Sequence, residues 1–219
     1  MKKAAFFDVD YVLISKDLYR LLGEYLNKRG RFPKLKIILG YIWYLKYKFN
    51  LLDGEKLLRK NLPQLKGVKT EDFKKISKEI FQDYTRKYII EETIKIINNH
   101  RNEGFTIALL TGNIDILVQP LSEYLGIENE NLLAVTLVEN DGKFTGEIVE
   151  PPCIGSGKKI WMERFSSERG INLKESFFYT DSFYDLEALK SVGNPVATNP
   201  DPRLRRYAKK MGWKIINTI

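Results

Sequence analysis

Two carboxylates, Asp8 and Asp10, close the most apolar run of the N-terminus, Ala4-Ala5-Phe6-Phe7. An unpaired ionised carboxylate is costly to bury, so acids in such a place are paired with a cation or bound to a metal. Three further polar clusters sit beside apolar or strand-like runs. Thr111-Gly112-Asn113 ends the run that begins at Thr106, Asp181 and Asp185 follow Phe177-Phe178-Tyr179, and Gly155-Ser156-Gly157 leads into Lys158. Each alone has a plain explanation: Thr111 or Asp185 as a helix cap, Lys158 as an exposed helical lysine. Their recurrence at strand ends points instead to one ligand site, because open α/β sheets bind ligands beyond the carboxyl ends of their strands.

The elements that must present these residues follow from hydrophobic periodicity and turn chemistry. Strands are expected at 3–7, 106–113, 176–182, 194–199 and 213–218, and helices at 113–125, 158–169, 185–191 and 202–211. The stretch 132–149 reads as a hairpin turning at Asp141-Gly142. Residues 16–99 lack alternating strand patterns and read as helix-rich, punctuated by Pro33, Gly54, Pro63 and Gly67. Strand–helix alternation from residue 89 onward implies an α/β fold with a parallel sheet. At 219 residues the chain fits one core domain carrying an insertion.

Composition narrows the classes. With 43% hydrophobic and 12% aromatic residues the chain has a substantial core. A single cysteine, Cys153, rules out an internal disulfide and suits a reducing cytoplasm. No uninterrupted apolar stretch of about 18 residues is present to cross a membrane. The formal charge of +8 is uneven: residues 1–70 hold 16 Lys and Arg against 6 Asp and Glu, whereas 71–219 hold 20 against 22. Residues 25–52 carry seven basic side chains and no acid, interleaved with Phe32, Tyr41, Trp43, Tyr44, Tyr47 and Phe49. Such a segment packs its apolar side and solvates its lysines, or makes a weak contact with an anionic membrane surface. No nucleic-acid-binding motif is present. The lone histidine, His100, excludes a His-based metal cluster and argues against a Ser-His-Asp triad. The run Gly155-Ser156-Gly157-Lys158-Lys159 fails as a phosphate loop of the Walker type, because Pro152 and Lys159 stand where Gly and Ser or Thr are needed.

In order, "FFDVDYVL", "LLTGN", "GSGKK" and "YTDSFYD" resemble the four motifs of the haloacid dehalogenase-like hydrolase superfamily. More closely the chain is similar to the phosphoserine phosphatase-like subfamily, which carries a helical cap after the first motif. "HRNEGF", "DGKFTGEI", "ERGINL" and the C-terminal text from Asn194 extend the match. The resemblance implies a Rossmann-like three-layer core, residues 1–14 and 90–219, and an inserted all-helical cap, residues 15–89. It implies that Asp8 is the nucleophile, Asp10 the general acid and base, and Lys158 the charge-neutralising cation. Thr111, Gly112 and Asn113 would bind phosphoryl oxygens, and Asp8, Asp181 and the Asp10 carbonyl would hold Mg2+, with Asp185 orienting Lys158. Asp17 matches the acid that contacts the substrate amine. The cap arginine that binds the substrate carboxylate falls at Asn61, with Arg59 one helical step away.

The sequence also departs from the pattern, with Tyr11 and Val12 after Asp10, Thr180 in place of the common glycine, and Tyr184 where a small polar residue is common. The expectation is a cytoplasmic Mg2+-dependent phosphomonoester hydrolase acting through an aspartyl phosphate on a small phosphorylated metabolite or lipid head group. The alternative is a catalytically weakened protein that binds a phosphorylated ligand in the same pocket.

Overall fold

A computed structural model of the chain describes residues 2–29 and 54–219. Most of the basic aromatic stretch 25–52, with its expected membrane contact, therefore lies outside the described residues. No helix among the described residues is long and apolar enough to cross a membrane.

Strand β1, Ala4–Phe7, is buried on both faces, as a continuous apolar run demands of a central parallel strand. It is flanked by β2, Thr106–Ile114, and by β6, Phe177–Thr180, both parallel to it. Beyond them lie β3 (Leu132–Val135) on one side, and β7 (Asn194–Thr198) and β8 (Lys214–Ile216) on the other. The six-stranded order is β3-β2-β1-β6-β7-β8. Alternate residues of each strand feed two separate cores: Phe7, Leu109 and Tyr179 on one face, Phe6, Leu110 and Phe178 on the other. Helices α4 (Glu91–Asn102) and α5 (Asp115–Tyr124) cover the first face through Ile97 and Leu121. Helices α6 (Ser156–Arg169), α7 (Leu186–Ser191) and α8 (Pro202–Met211) cover the second through Phe165, Leu189 and Leu204. The three-layer α/β architecture is the expected one.

The described residues between β1 and α4 are mostly helical. Helix α1 is Leu18–Lys28, α2 Gly54–Asn61 and α3 Thr70–Ile80. One expectation needs correction. The stretch 132–149 is not a single hairpin: Leu132–Val135 leaves it to pair in parallel with β2 as the sheet edge. The hairpin is shorter, β4 (Leu137–Asn140) with β5 (Lys143–Ile148). Its turn is the expected one, with Asp141 and Gly142 both at positive φ, 50° and 72°. The hairpin docks on the helical segment through Gly67 N–H to the Phe144 carbonyl (2.8 Å) and Phe144 N–H to the Val68 carbonyl (3.0 Å). At its base Arg59 grips both carboxylate oxygens of Glu150, at 2.7 and 2.9 Å.

The connection order reverses direction between β1 and β6. That reversal opens a crevice at the carboxyl ends of these two strands, and there the polar clusters converge.

Candidate active site

Asp8 follows β1 directly, and its N–H continues the ladder to the Tyr179 carbonyl at 2.9 Å. Asp181 follows the neighbouring strand β6 directly. Both are nearly closed to solvent, 7% and 8% exposed. Asp8 is not left uncompensated. Its Oδ1 accepts the Val9 N–H at 2.7 Å, and its Oδ2 lies 2.7 Å from Lys158 Nζ. The same ammonium reaches Asp185 Oδ2 at 2.8 Å. Lys158 is 3% exposed, so the exposed-lysine alternative is overturned. Burial opposes its charge, but Asp185 and Asp8 outweigh burial and hold its pKa above the ordinary lysine value. Burial in turn pushes the Asp185 carboxyl up to about 6, against the pull of Lys158.

The glycines before Lys158 explain how it arrives there. A Cβ on Gly157 would sit 1.9 Å from the Pro152 carbonyl oxygen. Only glycine lets the first turn of α6 press against that loop. Gly155 has φ +53°, and a Cβ there would meet the Tyr184 ring at 2.6 Å. Tyr184, an odd residue by the family pattern, thus lies over the loop that delivers the lysine.

Beyond Asp8 the chain wraps around one carbonyl: the N–H groups of Val12, Leu13 and Ile14 lie 3.3, 2.9 and 3.2 Å from the Val9 oxygen. Tyr11 takes φ +58° within this turn, a conformation that strains any residue with a Cβ. Val12 is fully buried, and its missing hydroxyl does not leave the loop loose. Thr93 Oγ1 donates to the Val12 carbonyl at 2.7 Å, and Asn199 Nδ2 to the Tyr11 carbonyl at 2.7 Å. Asp10 is thereby aimed back across the site. Its Oδ1 accepts the Leu18 N–H and its Oδ2 the Asn113 side-chain amide, each at 3.0 Å. Desolvation, then the charges of Asp17 and Asp8, raise its pKa well above the usual carboxylate value. A carboxyl that keeps its proton longer is suited to general-acid work.

Thr111 and Asn113 are buried within the end of β2, so Thr111 is not the helix cap. Thr111 Oγ1 accepts from the Asn113 main-chain and side-chain nitrogens at 3.3 and 3.1 Å. Asp185 precedes α7 but caps nothing with its side chain. Asp17 is the N-cap of α1, accepting the Arg20 N–H at 2.8 Å. The two positions weighed for a carboxylate-binding cation have partners of their own. Asn61 turns its amide to the Leu57 carbonyl at 2.8 Å, and Arg59 is held by Glu55 and Glu150. His100 is structural, with Nε2 2.7 Å from the Tyr179 hydroxyl amid Phe7, Phe105 and Phe177.

Four contributors escaped the sequence reading. Tyr19, on α1, donates its hydroxyl to the Gly112 carbonyl at 3.3 Å and so ties the helical segment to the β2 end. Asp201 caps α8 and also accepts the Phe183 N–H at 2.6 Å, which fastens the loop after Asp181. Asn199 braces the Asp10 loop, and Thr180 Oγ1 lies between Asp8 and Asp185. The Asn-Pro-Asp-Pro text around Asn199 and Asp201 was a turn signal, but its partners are remote in sequence.

A model of the family described as haloacid dehalogenase-like hydrolase matches residues 5–190. The chain belongs to that family. This haloacid dehalogenase-like hydrolase is 28% identical to a histidinol-phosphatase of Neisseria meningitidis, over 99% of both chains. It is 31% identical to a phosphoserine phosphatase of Mycobacterium tuberculosis, covering 97% of this chain and 70% of the relative. A crystal structure of a Bordetella pertussis protein of unknown function superposes with a TM-score of 0.88 at 24% identity, covering all of both chains. The expected enzyme class, a phosphatase within this hydrolase family, stands at that level.

Proposed function

We propose that this hydrolase cleaves small phosphomonoesters with Mg2+, through a phosphoaspartate on Asp8. The observation that carries the reading is the nearly enclosed pair of Asp8 Oδ2 and Lys158 Nζ, 2.7 Å apart at the strand reversal. A carboxylate beside a fixed cation is placed to attack phosphorus, while the cation offsets the charge of the phosphoryl oxygens.

In the first step a carboxylate oxygen of Asp8 bonds to phosphorus, the ester P–O bond breaks, and Asp10 gives its proton to the departing alkoxide. In the second, water attacks the same phosphorus, Asp10 takes the water proton, and inorganic phosphate leaves Asp8 as a free carboxylate. Thr111 and the Gly112–Asn113 main chain hold the phosphoryl oxygens. The Asp8 and Asp181 carboxylates and the Asp10 carbonyl would hold the ion, an all-oxygen set of the kind that suits a hard cation. When bound, the ion supplies charge neutralisation and in-line orientation.

For the substrate, the described residues favour an ester with a cationic group and no carboxylate. Arg59 is committed to Glu150, whereas Asp17 places a negative charge beside Asp10. The histidinol-phosphatase relative fits this, since histidinol phosphate carries an amine and an imidazole but no carboxylate. The test is a panel of histidinol phosphate, phosphoserine and an activated aryl phosphate, assayed with Mg2+ and with EDTA. Turnover that EDTA abolishes, with kcat/KM for histidinol phosphate at least about tenfold above phosphoserine, is expected. A preference for phosphoserine would overturn the substrate class. Binding of a phosphorylated ligand with no turnover of any ester would favour the binding-protein alternative.

A further inference from the structure

We propose that the Thr180 hydroxyl is a positioning group that keeps Lys158 on the nucleophile by satisfying the rival carboxylate, Asp185. The inference rests on the phosphatase reading above.

Four polar atoms meet in a closed arrangement at the reversal of the sheet. Lys158 Nζ lies 2.7 Å from Asp8 Oδ2 and 2.8 Å from Asp185 Oδ2. Thr180 Oγ1 lies 3.2 Å from the same Asp8 oxygen and 2.7 Å from the same Asp185 oxygen. Lys158 and Asp185 are each 3% exposed and Thr180 is 0% exposed, so water cannot easily replace a lost donor. The ammonium has three protons to give, the hydroxyl one. For an O–H donor 2.7 Å is an ordinary distance and 3.2 Å is beyond the usual range. The hydroxyl proton therefore belongs to Asp185. The Ser182 N–H, 3.3 Å from Thr180 Oγ1, approaches the oxygen as a donor and leaves its proton free to point there.

This assignment divides labour between two donors. Asp185 receives a hydroxyl and one N–H, while Asp8 receives an N–H from Lys158 and a main-chain N–H from Val9. When Asp8 becomes esterified to phosphorus its carboxylate charge is lost, but Asp185 keeps its own. Without the hydroxyl, Asp185 would be a buried carboxylate short of one donor, and it would draw the ammonium off the phosphoryl group. Thr180, the last residue of β6, stands beside Asp8 through the ladder bond to Tyr179, so its hydroxyl is held in place by the sheet. The glycine common at this place in the motif supplies no such group.

The test uses the full chain with Mg2+ and an aryl phosphate, comparing wild type with Thr180→Val, Thr180→Gly and Thr180→Ser, and with Asp8→Asn as the blank. Thr180→Val and Thr180→Gly should both lower kcat about tenfold or more while KM stays within about threefold, because the lost donor serves a charge and not substrate binding. Thr180→Ser should return kcat to within about threefold of wild type. Affinity for beryllofluoride, which mimics the phosphoryl group on Asp8, should fall in Thr180→Val and recover in Thr180→Ser. Should Thr180→Val fail to fold, Thr180→Gly against Thr180→Ser makes the same comparison. Wild-type kcat in Thr180→Gly, or Thr180→Ser as slow as Thr180→Val, would overturn the inference while leaving the phosphatase reading intact. An Asp8→Asn blank as active as wild type would remove the reading itself, and this inference with it.

Discussion

The two walls of the site are built on opposite electrostatic plans. On the β6 side, Asp8 and Asp185 share Lys158 and Thr180, and each of these buried polar groups has a partner. On the α1 and β2 side, Asp10 receives from the described residues only neutral donors, Leu18 N–H and the Asn113 amide, while Asp17 and Asp8 press upon it. Among the described residues Asn113 Oδ1, buried there, has no partner. On the first wall Asp8 and Asp185 already have a cation and a hydroxyl beside them. The second becomes favourable only when a proton sits on Asp10 or a positive charge arrives. A phosphatase needs both conditions: a fixed cation where charge develops, and an acid that holds its proton until the alkoxide leaves.

The comparison breaks most decisively at the lysine. Lys158→Met keeps the volume and deletes the charge, which leaves two buried carboxylates facing each other. Turnover should fall about 10³-fold, and the fold should lose roughly 3–5 kcal/mol in denaturant unfolding. Equal stability of Lys158→Met and wild type would mean that the first wall is not held by its ion pairs.

Asp10→Asn should separate activity from stability. Loss of the proton donor lowers kcat roughly 10²–10⁴-fold. The thermal midpoint of the metal-free protein at neutral pH should hold or rise, because a charge crowded by Asp17 and Asp8 is removed. Here the sign matters: a carboxyl whose pKa is raised by folding subtracts stability above that pKa, the reverse of a paired acid. A lower midpoint would show that the second wall is as well satisfied as the first.

A smaller effect is expected at Asp17. Asp17→Asn retains a side chain able to cap α1 and removes the charge. KM for histidinol phosphate should rise about tenfold, one charge-assisted hydrogen bond, while KM for the aryl phosphate stays level. Smaller still is Arg59→Ala. Its ion pairs are exposed, so KM for phosphoserine should move less than about twofold. A large rise would return Arg59 to the role of carboxylate ligand.

Much of the first wall was legible in the sequence. Asp8, Asp181 and Asp185 each follow an apolar run, and the glycines before Lys158 mark where a backbone must come close. The α/β layering was equally plain in the buried runs of β1 and β6. The parallel edge strand Leu132–Val135 was not, because it and the hairpin after it share one unbroken strand-like pattern. The bracing contacts were also hidden. Tyr19 to Gly112 and Asn199 to Tyr11 join residues 93 and 188 positions apart, and only the folded chain brings them together. Thr180 read as a departure from a motif, since nothing in its neighbours announces that its hydroxyl would fall between two acids. Cys153 is a packed small residue: its thiol donates to the Leu133 carbonyl at 3.5 Å, and burial raises its pKa.

The central claim is that phosphorus becomes bonded to Asp8. Incubation with a ³²P-labelled phosphomonoester and Mg2+, followed by acid quench and peptide mapping, measures this directly. Label should appear on the peptide that contains Asp8, be released by hydroxylamine as an acyl phosphate is, and be absent from Asp8→Asn. Turnover of the ester with no label trapped at any time point, or equal label in Asp8→Asn, would contradict the account.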